Sequence, residues 1–497
     1  MATTTASADS ISEIVKPGRL LIGAEWVDAE SSATLETINP ATGEVITTFA
    51  EAGASDVDRA VSAARSAFEG KWSAIPAARR GQFLATLADL ILEHGERLAL
   101  LETSDNGKPY FESSKIDIPF AANVFRYFSG WADKLAGQTI PARGDAFTFT
   151  RREPLGVVAQ IIPWNLPLVM CAWKLAPALA ASNTVVLKPA EQTPLTALAL
   201  GELIIEAGFP PGVVNILTGR GEVTGAALVK QPGVDKISFT GSVSVGKEIM
   251  RNCSENLTKL TLELGGKSPN IIFADANMKA ALRGAINGIF YGKGELCCAG
   301  SRLLVERSCY DDVVSALQET VSGLQVGDPF DKKTRIGALV SQEQMERVLK
   351  YIDIGKNEGA KLVAGGERVR FDNEFSNGCF VAPTVFADVD NSMTIAQEEI
   401  FGPALAVIPF DTEDDALAIA NDTQFGLAAA LWTNDIKRAH RMAAKLKAGT
   451  VWVNTVNMFD ASLPFGGFKH SGFGRDLGKD ALDGYLQTKS VWIDLNE

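Results

Sequence analysis

Histidine is nearly absent from this chain: only His94, His440 and His470 occur in 497 residues, and no short motif ties any of them to a cysteine. A papain-like hydrolase, in which an imidazole ionises the thiol, is therefore poorly supported. The six cysteines, Cys171, Cys253, Cys297, Cys298, Cys309 and Cys379, form no CxxC pair and no regular spacing. That argues against a zinc site and against a disulfide framework, and leaves reduced, intracellular thiols with no metal expected. Basic residues are outnumbered, with 47 Lys and Arg against 60 Asp and Glu and a formal charge of −13. Nucleic acid is thereby disfavoured as a partner. An uninterrupted apolar run is missing too, since Val157 to Ala181 carries Pro163, Pro167, Pro177, Asn165 and Lys174. It reads as a buried strand followed by a helix, not as a membrane span. The opening "MATTTASADSISEIVKPG" lacks a basic n-region and an apolar h-region, so no secretory signal is expected, residues 1–18 read as a mobile tail, and the location reads as cytoplasmic. Nor is there a GxGxxG fingerprint, because "GRGEVTG" at 219–225 has the wrong spacing.

What the chain does contain is enough apolar sequence, 46%, for two or three domains. Ser55 and Asp58 read as a capping box before Val57, Val61, Ala64 and Phe68, and a second helical region runs from Ala77 to about Leu101. Short apolar runs then alternate with helical patterns: "VVAQIIPW" (157–164), "TVVLKP" (184–189), "VVNIL" (213–217) and "KISFTG" (236–241). This predicts an α/β fold with a parallel, doubly wound sheet, whose ligands lie beyond the carboxyl ends of the strands. After "LTLELGGKSPNIIF" (260–273) the alternation restarts, which puts a domain boundary near Gly265 and Gly266. "AFTFTR" (146–151) and "SVWIDL" (490–495) stand outside both patterns and lack evident sheet partners, so they predict pairing across subunits of an oligomer.

Five places could carry chemistry. In "GELCCAGSR", Cys297 follows a glycine-rich break and precedes small residues that would let a substrate approach. Glu263 ends an apolar strand in "LELGGKSP", where a partly desolvated carboxylate could act as a base. Asn165 in "IIPWNLP" could donate to a developing oxyanion. In "FTGSVSVG", Gly241 and Ser242 open a helix whose N–H groups could bind pyrophosphate. Glu191 in "KPAE" sits where dinucleotide-binding sheets place an acid on the ribose, favouring NAD over NADP. Taken singly, each also has a plain structural explanation: a buried thiol, a solvated strand-end glutamate, or a turn.

In combination, "PWNLP", "KPAEQTPLTAL", "GFPPGVVN", "FTGS", "LELGGKSP", "GELCCAGSR", "EEIFGP" and "PFGGFKHSGFGRDLG" occur in one order. From about residue 20 onward, the chain resembles the NAD(P)-dependent aldehyde dehydrogenase superfamily. The resemblance implies a Rossmann-like, doubly wound NAD-binding domain over 19–136 and 156–264 and a catalytic α/β domain over 265–477. A small β oligomerisation element would span 137–155 and 478–497, and the homo-oligomer is expected to be a tetramer. It further implies Cys297 as nucleophile, Glu263 as base for hydrolysis, Asn165 with the Cys297 N–H as oxyanion hole, and Lys174 in support. Cofactor contacts would fall at Ile161, Pro163, Trp164, Lys188, Glu191, Gly241, Ser242, Leu264, Glu399 and Phe401. The cationic nicotinamide near the sulfur would replace the missing histidine.

A tunnel of Leu166, Met170, Trp173, Asn457, Phe459 and Phe465 would admit an aliphatic or aromatic aldehyde, although Phe459 and Phe465 could equally be core. The stretch from Phe459 to Trp492 is similar to phenylacetaldehyde dehydrogenases. Departures from the family pattern are Lys293 and Glu295, where glutamine is common, and Val243 in place of threonine. A carboxylate at Glu295 would raise the thiol pKa of Cys297, and Cys298 reads as a structural neighbour. Competing readings are a CoA-acylating semialdehyde dehydrogenase, a thiol hydrolase and an inactive nucleotide-binding protein. Glu263 speaks against the first, and an intact nucleophile, base and amide against the last.

Overall fold

In the computed structural model, which describes residues 11–496, two large sheets organise the chain. From edge to edge the first contains Glu25–Val27, Leu20–Ile22, Val214–Ile216, Thr184–Lys188, Val157–Ile161, Lys236–Thr240, Lys259–Glu263 and Gly472–Phe473. Its five central strands are parallel, and their order along the chain reverses between Val157–Ile161 and Lys236–Thr240. The loops leaving those two strands diverge, which opens a crevice at their carboxyl ends.

The near-continuous burial of these strands follows from cover on both faces. Val158, Val185 and Leu187 pack with the buried helix Pro167–Ala180. The alternate residues Val157, Ala159 and Val186 pack with Val57, Val61 and Ala64 of helix Ala54–Ala67. That helix is capped by Gly53, whose N–H donates to Asp56 Oδ2 at 3.0 Å, and not by Ser55. Ser55 and Asp58 are exposed, while Asp56 is buried and also accepts from the Glu30 N–H. The second helical region is two helices, Ala77–Glu93 and Gly95–Asn106, broken at His94 and ended by Gly107 in the left-handed region.

The second sheet runs Lys361–Ala364, Thr384–Ala387, Ala404–Phe410, Arg302–Glu306, Pro269–Ile272, Ala428–Trp432 and Thr450–Val453. Gly265 and Gly266 lie between the last parallel strand of the first sheet and the first of the second. The chain crosses back at Gly472–Phe473, which pairs antiparallel with Leu262 and Glu263. There Ser471 accepts the Leu264 N–H on its carbonyl and donates its hydroxyl to the Gly265 carbonyl at 2.7 Å.

Ala146–Pro154 and Leu486–Asp494 do have a partner within the chain: they pair with each other as an antiparallel ribbon. Distance along the sequence had hidden this. Part of the expected tail, residues 1–10, lies outside the described residues; Ile11–Ile14 form a helical turn, and Gly18 exchanges backbone hydrogen bonds with Thr48 and Ala50. Among the described residues no helix is long and apolar enough to cross a membrane, and no cluster of His, Cys, Asp or Glu is arranged to hold a metal ion.

Candidate active site

A cavity of about 670 Å³ lies where the carboxyl ends of the first sheet's strands meet the segments that lead into strands Arg302–Glu306 and Ala404–Phe410 of the second, and Asn165, Glu263 and Cys297 all line it. The loop that carries Cys297 reaches it by an abrupt turn. Helix Met278–Phe290 ends, and Gly292, Lys293 and Gly294 follow with φ of 58°, 62° and 74°. At Gly294 a Cβ would collide with the Gly402 carbonyl, so only glycine permits the turn.

The Cys297 thiol has a pKa well above its ordinary value. The hydrogen bond with Cys298 is the largest cause, followed by burial and then by the charges of Cys298 and Glu399. Glu295, expected to raise it, is turned away: Oε1 accepts the Val340 N–H at 3.1 Å, and Oε2 lies 2.7 Å from Lys293 Nζ. Cys298 is more than a packing neighbour, since it lines the cavity while its thiol points to Asn457 Oδ1 at 3.7 Å.

Glu263 is buried, and among the described residues neither carboxylate oxygen has a hydrogen-bond partner. Burial first, then the charge of Asp476, holds its pKa well above the usual carboxylate range, against the opposing pull of Lys174 and Arg475. An orphaned buried carboxylate facing a cavity is suited to taking a proton from a molecule held there. Asn165 Nδ2 donates to the Glu295 carbonyl at 2.8 Å, which fixes the amide plane and leaves its second N–H for a ligand.

Lys174 does not line the cavity. It is fully buried, with Nζ 2.7 Å from Asp476 Oδ2, and acts on Glu263 through its charge without touching a substrate. Asp476 was missed by sequence reasoning although it stands inside "GFGRDLG".

Of the expected cofactor residues, Pro163, Trp164, Gly241, Ser242, Leu264, Glu399 and Phe401 line the cavity. Ser242 caps helix Val243–Asn256, its Oγ accepting the Val245 N–H at 3.3 Å, so first-turn N–H groups face the crevice. Trp164 and Phe401 stand edge to face with centroids 5.2 Å apart. Glu399 accepts the Gly266 N–H at 2.9 Å, and burial pushes its pKa up to about 7. Ile161, Lys188 and Glu191 lie outside the cavity wall, at the ends of adjacent strands, where Lys188 Nζ meets Glu191 Oε2 at 3.0 Å. A helix N-terminus at the sheet's switch point, an acid beyond the next strand and an aromatic slot beside Glu399 fit a dinucleotide.

All six expected tunnel residues line the cavity's other end. Trp173, Phe459 and Phe465 form a continuous aromatic wall, with centroids 5.3 to 6.0 Å apart, and Phe120 joins it edge-on to Trp173 at 6.3 Å. Phe465 is also a member of the core, so lining and packing are one role here. Phe111, Ile116 and Phe120 complete the wall from a helical segment that carries no motif.

The aldehyde dehydrogenase family's sequence profile matches residues 26–491. Human mitochondrial aldehyde dehydrogenase is 48% identical over 495 residues, covering 99% of this chain and 95% of that protein. An NAD+ complex of aldehyde dehydrogenase from Bacillus cereus superposes with a TM-score of 0.96 at 49% identity, over 99% of both chains. An NAD+-complexed indole-3-acetaldehyde dehydrogenase gives a TM-score of 0.96 at 45% identity, over 99% of this chain and 100% of that one.

Proposed function

The chain belongs to the aldehyde dehydrogenase family and is an NAD-dependent enzyme; on that premise we propose that it oxidises an arylaldehyde, of which phenylacetaldehyde is the type, to its carboxylic acid. The observation that carries the substrate class is the wall of Phe120, Trp173, Phe459 and Phe465 leading to Cys297. An aryl ring gains edge and face contacts there that a short aliphatic chain lacks. The similarity to a structure named indole-3-acetaldehyde dehydrogenase supports the same reading.

The sulfur of Cys297, its proton given up to solvent, attacks the carbonyl carbon, and the free N–H of Asn165 together with the Cys297 backbone N–H meets the charge that develops on oxygen. NAD, when bound, supplies a hydride acceptor and a positive charge near the thiol. Pro163, Trp164, Gly241, Ser242, Leu264, Glu399 and Phe401 would hold it, with Ile161, Lys188 and Glu191 at its adenosine end. Loss of the aldehyde hydrogen as hydride to that acceptor would turn the Cys297 thiohemiacetal into a thioester; Glu263 then takes a proton from the water that attacks it, and that proton passes to the departing Cys297 sulfur as the acid is freed. Lys174 steadies the charge on Glu263 from behind.

The enzyme is proposed to act as a cytoplasmic homo-oligomer, with the tetramer the favoured state. The open edge of Leu486–Asp494, where Trp492 and Ile493 are exposed, supports assembly, and six free cysteines support a reducing compartment.

Purified protein with NAD and a graded aldehyde panel is expected to show a kcat/KM for phenylacetaldehyde about tenfold or more above that for propanal. Equal values would end the aryl assignment, and strict dependence of product formation on CoA would replace hydrolysis with acyl transfer. Glu191 gives a separate expectation. Glu191→Gln removes the negative charge facing a 2′-phosphate and frees Lys188, so kcat/KM with NADP is expected to rise about tenfold. An unchanged NADP to NAD ratio would remove Glu191 from cofactor selection.

A further inference from the structure

Lys293 combines two features that rarely coincide: its backbone is left-handed, with φ of 62°, and its ammonium is fully buried. A strained, desolvated lysine persists only where its surroundings hold it in place. Here Nζ donates to the Asn106 carbonyl at 2.6 Å and to Asn106 Oδ1 at 3.0 Å, and it lies 2.7 Å from Glu295 Oε2.

An ammonium can only donate, so it obliges Asn106 to turn Oδ1 toward it. The opposite side of that amide, Nδ2, therefore faces the segment that carries Asn165. It donates to the Trp164 carbonyl at 2.9 Å and reaches the Asn165 carbonyl at 3.4 Å. The other arm of the lysine, through Glu295, returns to the same residue, because the Glu295 carbonyl accepts from Asn165 Nδ2 at 2.8 Å. Asn165 is thus gripped at its backbone by Asn106 and at its side chain by Glu295, and both grips meet at Lys293.

We infer that Lys293 is a positioning residue for the oxyanion-binding amide, with Glu295 as its counter-charge. This rests on the reading of Asn165 as an oxyanion donor. The two departures from the family's glutamines are then one exchange: a charged pair stands where two neutral amides are common, and neither member is suited to acting alone. Lys293 is faced by Glu295, Lys108 and Glu112, and Cys297 by Cys298, Glu263 and Glu399. Loss of Lys293 alone leaves a buried carboxylate unpaired two residues before the nucleophile.

Lys293→Gln is expected to lower kcat by about tenfold to a hundredfold, as a small displacement of a catalytic group does, with KM for NAD unchanged. The pH profile of Cys297 alkylation by iodoacetamide should move to higher pH in the same variant. The double variant Lys293→Gln, Glu295→Gln should recover most of both losses, because the charges leave together. Asn106→Ala, which releases the grip from the other side, should lower kcat in the same way without moving the alkylation profile, and it tests the idea if Lys293→Gln fails to fold. A kcat within twofold of the parent for the folded single variants, or a double variant no better than Lys293→Gln, would overturn the assignment. Asn165→Ala is the control. If that variant keeps full kcat, the oxyanion reading itself falls; if it loses kcat while the Lys293 and Asn106 variants do not, only the positioning role does.

Discussion

Cys297→Ala is expected to abolish aldehyde-dependent NADH formation, a loss on the order of 10⁵-fold or more, as for removal of other covalent nucleophiles. The cavity contains two thiols, yet the second offers no substitute. Cys298 is buried and its sulfur is engaged with Asn457, whereas Cys297 is half-buried beside both Asn165 and Glu263. NAD binding should survive, because no residue assigned to the cofactor is touched; quenching of tryptophan fluorescence by NAD checks this. Turnover that persists in the folded variant would dismiss Cys297 as nucleophile and turn attention to Cys298.

Glu263→Gln should divide the reaction in two. The change keeps the side chain's size but removes its basicity, so oxidation of the substrate proceeds while release of the acid stalls. The expected trace is a burst of about one NADH per active site followed by a steady rate about 10²-fold to 10⁴-fold below the parent's, the usual reach of general-base catalysis. Stopped-flow absorbance measures both phases, and a variant with parental steady turnover would show that another group activates the water. The pH dependence has a definite sign. Burial and Asp476 raise the Glu263 pKa, so the carboxyl keeps its proton at a pH where a solvated one has lost it. The parent's steady rate should therefore climb with pH as that proton leaves, and the climb should vanish in the glutamine variant. The Cys297 thiol, also raised, places its own climb in the burst rate, which separates the two titrations.

What the sequence disclosed and what it withheld follow from range. Strand ends such as "LELGG" and "PWN" were legible because an apolar run that stops at a single polar group already names the mouth of a sheet. Helix limits were less so. Ser55 and Asp58 offered a capping pattern two residues along from the one used, Gly53 and Asp56, and the choice was made by which face, Val57, Val61 and Ala64, reached the core. Asp476 as partner of Lys174 and Asn106 as partner of Lys293 could not be read at all, since they lie 302 and 187 residues away. No local periodicity reports such a contact. The same reach explains why Glu295, judged by its nearness to Cys297 in the chain, proved to spend its charge on Lys293 and Val340 instead.

The chain passes between its two layered halves twice, once through Gly265 and Gly266 and again where Gly472–Phe473 returns beside the strand that ends in Glu263, with Ser471 stapling the two passages together. A lone strand of backbone would let one half swivel about it, carrying the sulfur out of line with the carboxylate across the cleft. Paired tethers lying side by side resist that torsion. The sulfur and the carboxylate on opposite sides of the cleft are thereby kept in register.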